Sequence, residues 1–150
     1  MGKYKVNINF SEDRMKRNKK RIENNFNSKQ TDRTPVLFGA FERYFLEARG
    51  IGYDEFYSDS RSMLHNMILN QVWAIENIPD DRCTDRIITI PGPYFDNVLN
   101  AEALGAEVVF YDDQPSRLLK KLSEPRDVEK LKIPQPTDGL WGKKIKYFLK

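Results

Sequence analysis

Apolar positions along this chain recur at two spacings, and the two spacings divide it into helices and extended pieces. Behind Ser11, a good N-cap, come Glu12 and Asp13, and then Met15, Ile22 and Phe26 recur at +7 and +4. That pattern predicts a leading helix whose single apolar stripe lies on a larger body. Glu42–Arg49 predicts a short second helix with Gly50 as its stop. Ser58 or Ser60 opens the strongest helical pattern, which ends near Asn77, ahead of Pro79. It carries Met63, Leu64, Met67, Ile68, Val72 and Ile75 on one side. Helical spacing returns over Phe95–Leu104, closed by Gly105, and in pieces over Leu118–Leu131 around Pro125. A last helix opens at Asp138 as its cap and runs to the end.

Three runs read as strands. Thr34–Phe38 (TPVLF) has Pro35 near its start, where a missing N–H does least harm. Arg86–Ile90 (RIITI) is strongly β-branched and is stopped by Pro91, Gly92 and Pro93. Glu107–Tyr111 (EVVFY) is the third. Strands alternating with helices predict parallel pairing in an α/β architecture. Ile51–Tyr57 is aromatic and irregular, and Asp80–Asp85 reads as a charged turn. The apolar face of the last helix (Trp141, Ile145, Tyr147, Phe148 and Leu149) meets no following strand. The expectation is that more polypeptide or another chain covers it.

Composition narrows the class. The chain has 150 residues, 39% of them apolar and 31% charged, which fits one ordinary domain with a core. No stretch of about 20 apolar residues exists to span a membrane. Met1–Phe10 lacks the apolar run of a secretory signal, so the expected compartment is cytoplasmic. Cys83 and His65 are single, which leaves no disulfide framework and no cysteine-based zinc site within the chain. The glycines form no phosphate-binding loop, and Asp80, Asp81 and Asp85 lack calcium-loop spacing. Charge is uneven. Residues 1–30 hold nine basic and three acidic side chains, a surplus of six, which leaves the other 120 residues at −3. A basic leading segment suits an anionic partner. The plainer reading, a solvated helix face, is favoured over nucleic acid, because base readout also wants aromatic or amide groups among the charges. This divides the chain into a basic leading helix and loop (1–33) and a main body (34–150).

From Pro35 onward the chain resembles the uroporphyrinogen decarboxylase superfamily. An ordered set carries the resemblance: PVLF (Pro35–Phe38), the Arg43-Tyr44 pair with Glu47-Ala48-Arg49, and FYSDSR (Phe56–Arg61) leading into a long helix. Tyr94-Phe95-Asp96 follows, then Ala103–Val108, the turn DDQPSR (Asp112–Arg117) and Asp127–Leu131. The wording AEALGAEVVF and DDQPSR is closer to the corrinoid-linked methyltransferase relatives than to the haem-pathway decarboxylases. The resemblance implies the N-terminal part of a TIM-type (α/β)8 barrel, incomplete in this chain, with about three strands and flanking helices. A full barrel needs about 250 residues. Open strand edges in such a piece call for cover, by self-association or by a missing C-terminal part.

By the same resemblance Asp96 is the catalytic candidate, a carboxylate at a strand end that accepts hydrogen bonds from pyrrole N–H groups. Its plainer role is to cap the helix behind it. Arg43, Tyr44 and Tyr94 are the candidate substrate-binding residues. Of the two arginines that clamp substrate carboxylates in the decarboxylases only Arg43 remains, and on its own helix it can pair with Glu42 or with Glu47 at i+4. The implied activity is methyl transfer involving a corrinoid protein and a small methylated substrate. Uroporphyrinogen decarboxylation, with a tetrapyrrole substrate, is the alternative, and a non-catalytic binding or assembly module is the second. The decarboxylases use no cofactor. The methyltransferases use zinc and a corrinoid protein, with the zinc held by a histidine and two cysteines later in their barrel, and no metal is assigned to this chain.

Overall fold

The computed structural model describes residues 5–82, 84–85, 87–90, 92–95, 98–111, 114, 116–119, 122–135 and 138–149. About half of these residues are helical. In chain order the elements are α1 (Glu12–Phe26), α2 (Glu42–Arg49), α3 (Tyr53–Ser58), α4 (Ser60–Asn77) and α5 (Leu99–Ala103). They are followed by β1 (Val108–Val109), β2 (Arg117–Leu118), a 3-10 turn (Pro125–Lys130) and α6 (Gly139–Phe148). Among the described residues no helix is long and apolar enough to cross a membrane.

Local signals set the first helices. The Ser11 hydroxyl accepts the Arg14 N–H at 3.1 Å and fixes the start of α1. Gly50 ends α2 at φ 69°, a left-handed conformation that most side chains resist. Asp59 caps α4 by accepting the N–H groups of Arg61 and Ser62 at 2.7 and 2.9 Å. α4 is the central helix, with α2, α3 and α6 all packed on it.

The expected partial barrel does not form. The described residues contain one sheet, an antiparallel pair in which Val108 faces Leu118 and Val109 faces Arg117. A parallel pair needs a crossover of about a dozen residues or more, and the short return after Val109 permits only a hairpin. Arg117 and Leu118 therefore lie in a strand where a helix beginning at Leu118 was expected. Residues 34–38 and 87–90 are not strands. The first of these runs has the chemistry of a strand edge but spends it elsewhere. The Val36 and Phe38 N–H groups donate to the carboxylates of Asp81 and Asp80, at 2.8 and 2.9 Å, and Val36 O accepts the Asp81 N–H at 2.9 Å. The helix expected over Phe95–Leu104 shrinks to Leu99–Ala103. Pro125 does not interrupt a helix but opens the 3-10 turn, where its missing N–H is harmless.

The core gathers Leu46, Tyr53, Phe56, Tyr57, Met63, Met67, Val98 and Trp141, so α6 supplies its largest side chain. Trp141 is 0% exposed and meets the rings of Tyr57 and Phe95 edge-on, each at 5.7 Å. α6 is seated by α5. Glu102 accepts the Leu140 N–H at 2.8 Å, and a Cβ on Gly139 (φ 74°) would run into that carboxylate. Asp138 occupies the expected cap position, yet its carboxylate turns back to the Gln135 N–H at 2.9 Å.

Lys144, one turn beyond Trp141, is 1% exposed. Its ammonium donates to Tyr57 O at 3.1 Å and lies 5.6 Å from the Trp141 ring centre. Burial pushes its pKa down, against the attraction of Asp59. Because the folded state disfavours the charged form, stability rises as pH climbs toward the unfolded value of 10.5 and is complete above it. Lys144→Met should raise the unfolding free energy by about 1–2 kcal/mol at neutral pH, in the manner of other buried charges replaced by apolar groups. Urea melts of the two proteins should converge as pH approaches 10.5. A destabilised Lys144→Met protein would show that the ammonium is a net support.

Candidate functional site

The most organised polar constellation lies where α1, residues 32–38 and the turn after α4 meet. Asp80 and Asp81 are both buried, and Asp81 is 0% exposed. Asp81 accepts from Arg21 at 2.5 Å, from both terminal nitrogens of Arg33 at 2.8 and 2.9 Å, and from the Val36 N–H. Asp80 accepts from Arg82 at 2.8 and 3.0 Å and from the Phe38 N–H. Arg14 reaches the same turn and donates to Ile78 O and Asp80 O at 3.1 and 3.2 Å. Arg21 also forms a two-pronged pair with Asp32, at 2.7 and 2.5 Å.

Two opposing effects act on these carboxyls. Burial alone raises the Asp81 pKa, but the hydrogen bonds from Val36 N–H, Arg33 and Arg21 outweigh it and hold it below the usual carboxylate range. Asp80 behaves alike, with Arg82 and the Phe38 N–H overcoming burial. Asp32 is lowered and Arg21 raised, in each case chiefly by their mutual hydrogen bond.

Arg21 is the floor of an open cleft of about 400 Å³, lined by Arg17, Lys20, Asn24, Gln30, Thr31 and Asp32. The chain reaches this place through a tight reversal at the end of α1. Ser28 takes φ 53°, Lys29 N–H bonds to Asn24 O at 2.8 Å, and the Asn24 amide donates to Gln30 O at 3.2 Å. A second open cavity, of about 510 Å³, lies between the end of α5 and the 3-10 turn, with Leu104, Leu122, Ile133 and Pro134 on its apolar side and Lys130 and Lys132 at its charged side.

The sequence-derived candidates sit elsewhere. Asp96 lies outside the described residues, as does Cys83. Arg43 forms the pair with Glu47, at 2.7 Å, that its spacing allows. Tyr44 belongs to an aromatic group on the α2–α4 face, 5.6 Å from Phe38 and 6.1 Å from Trp73. Tyr94 packs on the core beside Phe56, with the ring centres 6.2 Å apart. Neither cavity is lined by Arg43, Tyr44 or Tyr94. His65 is exposed on α4. Among the described residues no three His, Cys, Asp or Glu side chains gather as a metal would require. The zinc implied by the resemblance finds no ligand set among them.

No family model, no curated protein and no solved structure matches the chain.

The sequence marks Asp80–Asp85 as a charged turn without calcium-loop spacing, and nothing in that pattern announces that Asp80 and Asp81 are buried. The available signal was two adjacent aspartates directly after a helix and Pro79, in a chain whose first 33 residues carry an excess of basic side chains. Asp81→Asn should cost about 3–5 kcal/mol in urea unfolding, the usual penalty for stranding buried partners. Its acid dependence has a definite sign. The depressed pKa supplies stability fully present above the unfolded value of 3.8 and lost as pH falls through the lower native value. Wild type should therefore lose stability steeply below pH 3.8 while Asp81→Asn shows a shallower slope. Parallel slopes would assign acid unfolding to other groups.

Proposed function

We propose that this chain forms the N-terminal portion of a uroporphyrinogen decarboxylase superfamily enzyme of the corrinoid-linked, methyl-transferring kind. Alone it acts as an assembly piece and not as a finished catalyst. The proposal concerns reaction class and not architecture, since the described fold is half helical with one small hairpin. What supports the reaction class is the ordered residue set from Pro35 to Leu131. Uroporphyrinogen decarboxylation is the weaker alternative, because the single arginine of the clamp, Arg43, is already engaged by Glu47.

One observation carries the assembly reading. Val36, Leu37, Phe38, Phe41 and Tyr44 stand exposed as one apolar ridge, with Phe41 80% exposed. The backbone behind the ridge is held by Asp80 and Asp81, so these side chains are presented outward by a fixed support. Isolated apolar side chains on a surface are ordinary, but a contiguous run marks a surface that another body covers.

In the isolated chain the body available is a second copy. Light scattering should give about twice 17.6 kDa, and Phe41→Asp should return the mass to that of one chain. A monomeric wild type would remove the assembly reading. The isolated chain should neither demethylate methylcobalamin in the presence of a thiol nor decarboxylate uroporphyrinogen. Turnover of either compound would show that the site is complete in these residues.

A further inference from the structure

We infer that the cleft beside α1 is a binding site for a single phosphate or diphosphate group carried by a small molecule. This is independent of the proposed methyl-transfer reading. The spacing of Arg17, Lys20, Arg21 and Asn24 places all four on one face of α1, at i, i+3, i+4 and i+7. The reversal at Ser28 then brings Gln30, Thr31 and Asp32 alongside to form the facing wall.

The charge balance within the cleft decides its sign. Asp32 is the only acidic group on its lining, and it is committed to Arg21 through two hydrogen bonds. Arg21 is matched further by Asp81, and Asp81 by Arg33, so the floor is electrically settled. Arg17 and Lys20 are both exposed, and among the described residues neither has a carboxylate partner. Glu23, one turn along α1 from Lys20, faces Lys19 at 3.9 Å. Two unmatched cations therefore overhang a neutral floor. The Thr31 hydroxyl and the Gln30 amide, also without partners among the described residues, add hydrogen-bond donors on the opposite wall. Guanidinium and ammonium together with neutral donors lining one cleft is the chemistry that recognises phosphate.

Size and reach argue for a small molecule over a nucleic acid strand. A cleft of about 400 Å³ falls in the range of small-ligand sites, about 300–1,000 Å³. A strand needs a continuing basic track, and the 120 residues outside the leading segment sum to −3. Two cations predict a shallow salt dependence, where a strand-binding surface would give a steep one.

Isothermal titration of the full chain with inorganic pyrophosphate tests the site. Wild type should bind with a sub-millimolar Kd, and the double variant Arg17→Ala/Lys20→Ala should bind at least tenfold more weakly. A control with the same charge change away from the cleft, Arg126→Ala/Lys143→Ala, should leave the affinity within twofold of wild type. Equal weakening by both double variants would reduce the effect to net charge and overturn the site. No heat with pyrophosphate would overturn it as well. Tighter binding of a single-stranded 12-mer than of pyrophosphate, lost steeply between about 50 and 200 mM salt, would replace it with a strand-binding surface. Because the oligomeric state does not enter these outcomes, they stand apart from the test of the apolar ridge.

Discussion

Two adjacent carboxylates inside the molecule, Asp80 and Asp81, are the constraint around which the N-terminal half is arranged. A buried carboxylate is tolerated only when cations and N–H donors replace its water. Here Arg21 comes from α1, Arg33 and two backbone N–H groups from the segment that follows, and Arg82 from the turn itself. The leading helix has little apolar seat of its own, since Phe26, a member of its expected stripe, is 84% exposed. Its buried residues are instead Asn18 and Arg21. α1 is attached by charge and hydrogen bonding where its pattern suggested attachment by grease.

The same pair organises both surfaces that bear on function. Through Arg21 it sets the floor of the cationic cleft, and through the N–H groups of Val36 and Phe38 it holds the apolar ridge outward. One surface is positive and the other apolar, and they share a single support. A second polar seam, between α2 and α4, runs alongside. Asn70 bonds to Arg49 at 2.5 Å and also to Glu42, whose carboxyl burial pushes up. Helices that look amphipathic along the chain are thus joined by buried polar groups at more than one place.

What the sequence made legible was local. Ser11 and Gly50 act within a few residues of themselves, and α1 begins and α2 ends where they place them; α4 opens at Ser60, one of the two serines expected, with Asp59 and not a serine as its cap. The strands were less legible because an apolar β-branched run specifies an extended backbone but not a partner. Pro35–Phe38 finds carboxylates in place of a strand partner, and Glu107–Tyr111 retains two paired residues, in a hairpin. The cleft was legible only in its charge. Its shape depends on Ser28 and on the Asn24–Gln30 contact, neither of which has a pattern to read. Arg43 illustrates the reverse case, since the plainer pairing with Glu47 was available from spacing alone and is what the structure contains.

The two tryptophans fall on opposite sides of this division. Trp73 leans on Tyr44 and Phe45 at the margin of the ridge, while Trp141 is enclosed between Tyr57 and Phe95 in the core. The chain thus carries two native fluorophores in unlike surroundings, one partly exposed and one fully enclosed. Their emission separates loosening of the surface from melting of the interior, without any label being introduced.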